Sequence, residues 1–130
     1  MDPADLQRLP LFESLSKREL SRLARWTDEV DVKGGRHIVD QGDFAWEFFV
    51  VIEGEAEVLR DEEHVADLGP GDFFGEVALV ETDRRVASVV ATTPMRLVVM
   101  LGRDFKEMEA EMPEVAQQIT AAVEERRPRG

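Results

Sequence analysis

Cysteine is absent from the 130 residues, which excludes disulfides, iron–sulfur clusters and thiolate zinc sites and fits a reducing cytoplasm. Basic residues are scarce beside acidic ones, 16 against 28, giving a formal net charge of −12. Such a field repels the phosphate backbone of nucleic acids and anionic membrane surfaces, so neither is expected as a partner. It also opposes a phosphorylated ligand. An anion site in this chain has to be a local arrangement of amides and a buried arginine that overrides its surroundings. No apolar run approaches the roughly 20 residues of a membrane span. The start, Met1-Asp2-Pro3-Ala4-Asp5, lacks the basic residues and apolar stretch of a secretion signal. These absences predict a soluble, cytoplasmic protein. There are two histidines, His37 and His64, far apart on different predicted strands. A metal or haem site needs clustered ligands, so no metal and no cofactor is expected.

What is present supports one domain over 1–130. A hydrophobic content of 43% in a chain of this length is enough for a core. A helical N-terminal part is expected over about residues 2–27, a β region over about 28–101 and C-terminal helices over about 103–127. Leu9-Pro10-Leu11-Phe12 reads as a proline-set turn with apolar flanks that plug a neighbouring surface. Ser16 followed by Glu19 is a capping-box pattern that opens a helix to about Trp26, with Leu20, Leu23 and Ala24 on one face.

From Glu29 the period shortens. Glu29–Val32, His37–Val39, Glu47–Ile52, Glu55–Leu59, His64–Leu68, Val86–Ala91 and Arg96–Leu101 read as short strands. The breaks at Gly34-Gly35, Gly42-Asp43, Glu53-Gly54 and Gly69-Pro70-Gly71 read as turns. Strands at this spacing indicate an all-β sandwich or barrel. After them, Asp104–Met108 can form a short helix, and Pro113 occupies a favoured first-turn position of another running to about Arg126. Val115, Ile119, Ala122 and Val123 make one apolar stripe on that helix, suited to packing more than to a ligand lid. Trp26 and Trp46 read as packing and surface-cover residues rather than ligand platforms.

The chemistry concentrates in Gly71-Asp72-Phe73-Phe74-Gly75-Glu76-Val77-Ala78-Leu79, followed by Arg85-Val86-Ala87-Ser88. Glycine lets a backbone approach an anion, and free amides after it can point at phosphate oxygens. Phe74 to Val80 does not alternate like a strand and reads as a single helical turn after Gly75. Glu76 suits sugar hydroxyls, which donate to it, while Arg85 offers a charged, forked donor to a phosphate. The loop Glu81-Thr82-Asp83-Arg84 then returns the chain to a strand beginning at Arg85. A salt bridge between Glu76 and Arg85 in an empty cassette is the competing structural reading.

These motifs, with Pro10-Leu11-Phe12, Ser16 to Leu23, Gly42-Asp43 and Phe49 to Gly54, resemble the cyclic nucleotide-binding domain family. The resemblance extends over nearly the whole chain. It implies a mainly β fold, a jelly-roll β-roll of eight strands flanked by helices, with a phosphate-binding cassette between Phe74 and Ser88. It further implies that Glu76 binds the ribose 2′-hydroxyl and Arg85 the cyclic phosphate. Gly75, Val77 and Ala78 match the backbone wrapping the phosphate, and Val86 with Ala87 the segment after the arginine.

The chain departs from the family pattern in places. Arg84 stands where relatives commonly have proline, and Glu81 and Asp83 bring negative charge to the cassette loop, which counts against affinity. Val86 replaces the threonine common in cyclic GMP binders and has no hydroxyl for the guanine amino group, which favours cyclic AMP over cyclic GMP. No aromatic follows Phe105, leaving Val115, Ile119 or Arg126 to cap the base.

The expected function is that of a non-catalytic sensor. Ligand binding would let the C-terminal helix swing and signal to an effector or through a homodimer, with Val115, Ile119 and Val123 as the dimer surface. A ligand-free interaction scaffold on the same fold is the alternative. An enzyme would need a metal cluster or an activated nucleophile, and neither is found in the sequence. With three residues after Arg127, no appended output domain is expected and the signal would leave through contacts.

Overall fold

The computed structural model describes residues 2–75 and 84–126. Two short helices open it. α1 spans Pro3–Gln7, with proline in its first turn and the Asp2 side chain accepting from the Ala4 amide at 2.9 Å. α2 spans Lys17–Leu23, and the expected capping box is formed in both directions. The Ser16 hydroxyl accepts from the Glu19 amide at 3.1 Å, and Glu19 Oε1 accepts from the Ser16 amide at 2.9 Å. The segment Pro10–Phe12 between them is a single 3-10 turn that buries Leu11 and Phe12, the plug read from the sequence. A second 3-10 turn, Ala24–Trp26, carries α2 to its predicted end.

Eight strands follow: β1 Asp28–Val32, β2 His37–Val39, β3 Glu47–Glu53, β4 Ala56–Arg60, β5 Glu63–Leu68, β6 Phe73–Phe74, β7 Ser88–Ala91 and β8 Met95–Leu101. They form two four-stranded antiparallel sheets, ordered β1-β8-β3-β6 and β2-β7-β4-β5. The two-sheet β-roll with flanking helices is the mainly β architecture expected.

β3 explains the layering. Its run Phe48-Phe49-Val50-Val51 does not alternate with polar residues because both faces of its sheet are covered. Phe49 and Val51 face the other sheet and pack with Phe74, Val89, Ala91 and Leu97. Phe48 and Val50 point the other way, with Val98 and Met100 of β8, into a core made by the helices. That second core takes Leu6, Phe12, Leu20 and Leu23 from the N-terminal part. From the C-terminal part it takes residues of α3, Gly102–Glu111, and of α4, Pro113–Arg126.

The structure corrects the sequence reading at several points. α1 falls within the helical part expected over about residues 2–27 although its bounds were not given, the two-residue β6 was not anticipated, and α3 is longer at both ends than Asp104–Met108. Phe74 belongs to β6, where it pairs with Phe49 and stacks on its ring at a centroid distance of 4.8 Å, so it does not open a helical turn. Glu76 to Val80 of the expected turn lie outside the described residues. β7 begins at Ser88, not at Arg85 or Val86. Val115, Ile119 and Val123 are buried in the helical core at 2%, 1% and 6% exposure. The stripe is therefore spent on packing within the chain. It is displayed neither as a dimer surface nor as a lid, because withdrawing it would expose the core.

Candidate functional site

Gly42 and Asp43, in the loop between β2 and β3, build the site by drawing the segment before β7 onto themselves. The Arg85 amide donates to the Asp43 carbonyl at 2.7 Å, and the Gly42 amide donates to the Arg85 carbonyl at 2.9 Å. Phe44 and Arg84 form an isolated antiparallel bridge beside this pair. The Gln41 amide donates to Ser88 Oγ at 2.9 Å, closing the ladder where β7 starts. Gly42 has φ +92°, a left-handed conformation that glycine adopts freely and that turns the loop back on itself. Pairing with the loop is what keeps Arg85 out of the sheet.

The ladder directs the Arg85 side chain inward, to 8% exposure. Its Nη2 donates to the Glu47 carbonyl at the start of β3, at 2.9 Å. Gly75 makes this possible. It has φ +78°, and a Cβ there would lie 2.5 Å from Arg85 Nη1 and 2.7 Å from the Glu47 carbonyl oxygen. The sequence reading gave Gly75 the task of approaching an anion. In the structure its bare Cα leaves room for the guanidinium.

Arg85 lies in the wall of an open cavity of about 350 Å³. Ile38 and Val39 of β2 supply apolar wall, and Phe44 and Trp46 of the following loop supply aromatic wall. Asp40, Asp43 and Glu47 line it as well, so the local field is mixed. A buried guanidinium at the wall of an open cavity is an anion-binding candidate, since its charge is fixed and its donors are forked.

Of the proposed ligand residues, Gly75 and Arg85 are brought together. Val86 is exposed and Ala87 half-buried, and neither lines the cavity. Glu76, Val77 and Ala78 lie outside the described residues, as do Glu81 and Asp83 of the acidic loop. Arg84, flagged for replacing a proline, donates from Nη1 to the Gly42 carbonyl at 2.7 Å, and its guanidinium sits 4.4 Å above the Phe44 ring. Sequence reasoning passed over Phe44 and read Trp46 as a surface-cover residue rather than a ligand platform, whereas both line the cavity. Two aromatics in a loop just after Gly42-Asp43 were the available signal. The two histidines are separate, as expected, each paired with an aspartate three residues on: His37 with Asp40 at 2.8 Å and His64 with Asp67 at 2.9 Å. Among the described residues no group of three or more candidate ligands could hold a metal ion.

Residues 29–111 match the family model described as the cyclic nucleotide-binding domain. The chain belongs to this family. It is 34% identical over 119 residues to a cyclic nucleotide-gated potassium channel of Rhizobium etli, covering 92% of this chain and 33% of the channel. It is 38% identical over 111 residues to a cAMP-dependent protein kinase regulatory subunit of Emericella nidulans, covering 83% of this chain and 27% of the subunit. The chain thus spans a third or less of the length of these relatives. The Thermus thermophilus catabolite activator protein superposes on this cyclic nucleotide-binding domain with a TM-score of 0.79 at 29% identity, over 90% of this chain and 57% of that one. No helix among the described residues is long and apolar enough to cross a membrane.

Proposed function

We propose that the domain binds cyclic AMP in the cavity beside Arg85 and acts as a regulatory module without catalysis of its own. The observation that carries this reading is the guanidinium itself, buried at the cavity wall by a backbone ladder and by a glycine that leaves room for it. A cyclic phosphate supplies the anion such a group favours, through charge-assisted hydrogen bonds. Glu76 takes the ribose 2′-hydroxyl, and the amides of Gly75, Val77 and Ala78 wrap the phosphate. Val86 offers no hydroxyl to a guanine amino group, which favours adenine.

Output follows from differential contacts in two states. Ligand draws the segment after Gly75 toward Arg85, and α4 moves against the helical core, changing the surface offered to an effector. Isothermal titration tests the binding directly. Cyclic AMP is expected to bind more tightly than cyclic GMP, and silence with both at millimolar ligand would instead favour a ligand-free scaffold. The carboxylates of Asp40, Asp43 and Glu47 in the cavity lining are the observation that favours that second reading.

A further inference from the structure

Trp46 is 59% exposed and Phe44 50% exposed. Both are large aromatic side chains in water, and neither belongs to either hydrophobic core. Exposed aromatics call for an explanation when they gather beside a polar site. These two line the same cavity as Arg85. They are also ordered with respect to each other. The Arg84 guanidinium sits on the Phe44 ring at 4.4 Å, and the Phe44 and Trp46 centroids lie 5.9 Å apart, tilted by 46°. Arg84 is in turn hydrogen-bonded to the Gly42 carbonyl. The train Arg84–Phe44–Trp46 therefore holds the indole at the cavity from behind, at little cost in side-chain freedom when a ligand arrives.

From this we infer that Trp46 is the stacking platform for the nucleobase, supplied by the loop between β2 and β3, with Phe44 and Arg84 as positioning residues behind it. The inference rests on the cyclic-nucleotide reading of the Arg85 cavity. It places the two ends of one ligand on neighbouring residues of the same structure: the phosphate at the buried guanidinium and the base on the exposed ring. It also removes the need for a capping aromatic after Phe105, and Val115 and Ile119 are in any case buried in the core. Asp40, Asp43 and Glu47 add acceptors to the lining, beside the donors of Arg85 and of the Trp46 indole.

The test uses the full chain with cyclic AMP, by titration calorimetry and by tryptophan fluorescence. Base stacking on an aromatic side chain is lost in Trp46→Ala, so affinity should fall by roughly fivefold to a hundredfold, while Trp46→Phe, which keeps a ring, restores most of it. Ligand should change the fluorescence of Trp26→Phe, in which Trp46 is the remaining indole. Cyclic AMP binding that is as tight in Trp46→Ala as in the wild type overturns the platform while leaving the Arg85 site standing. So does a Trp26→Phe fluorescence that ignores saturating cyclic AMP. If the wild type binds no cyclic nucleotide, the reading of the cavity falls and the platform with it.

Discussion

At the scale of the residue, two glycines show how a missing side chain positions other groups. Gly75 leaves the volume that Arg85 occupies, and Gly54 lets β3 turn into β4. Gly54 has φ +92°, and a Cβ on it would run into the Pro94 carbonyl and lie 2.8 Å from Met95 Cγ. Gly54→Ala combines backbone strain with a clash against backbone and should destabilise the domain by about 1–3 kcal/mol, measured by chemical denaturation. An unchanged midpoint would mean that the turn relaxes freely. Both glycines could be picked out in the sequence as turn or cassette positions, but what each makes room for depended on residues distant in the chain.

The titration of His64 is a second prediction at this scale. Its hydrogen bond to Asp67, then the charge of Asp67, raises its pKa above the ordinary 6.5. A raised folded pKa contributes stability that is fully present below about 6.5 and is lost as pH rises through the folded value. The side chain is exposed, so the effect on stability is small and is best read locally. An NMR titration should place His64 above the ordinary histidine range, and Asp67→Asn should bring it down. A titration that ignores the substitution would show that the pair does not persist in solution.

At the scale of the element, alternation and glycine punctuation located seven of the eight strands to within two residues. The physical reason is that residues on a single covered face recur at every second position, while β3, covered on both faces, shows as a short continuous apolar run. β6 escaped because two residues show no period, and it exists only by pairing with β3. The β4–β5 connection escaped as well. Asp61 and Glu62 both have positive φ, 54° and 68°, with no glycine to announce the turn. Gln41 holds it, donating from Nε2 to Asp61 Oδ1 at 2.9 Å and accepting the Asp61 amide at 2.8 Å. That clamp reaches across from the loop that also pairs with Arg85, and nothing in the local sequence foretells it. Glu62 lacks such a side-chain partner among the described contacts and bears the left-handed strain directly. Glu62→Gly should raise stability by about 0.5–1 kcal/mol, the strain relieved less the entropy glycine loses on folding. Thermal unfolding of the two proteins decides this, and an unchanged or lower midpoint would count against it. The C-terminal helix was foreseen at its start and along its stripe. Whether the stripe faces the core or a partner is a tertiary question, which the burial of Val115 and Ile119 answers in favour of the core.

At the scale of the whole molecule, a chain of net charge −12 carries a site proposed to take an anion. The conflict is resolved locally, since a buried guanidinium acts at short range in a low dielectric while the distant carboxylates are screened by solvent and salt. The motif from Gly71 to Ser88 marked the site because family members share its order of residue types. In the aromatic wall Phe44 went unread and Trp46 was read as surface cover, since exposure and shared orientation are properties of the folded loop. The central claim is that Arg85 receives the cyclic phosphate, and calorimetric titration of cyclic AMP into the wild type and Arg85→Ala tests it most directly. A charge-assisted hydrogen bond contributes about 1.5–3 kcal/mol, so affinity should fall at least about tenfold in the folded variant. Equal affinity in the two proteins would place the phosphate elsewhere and contradict the account.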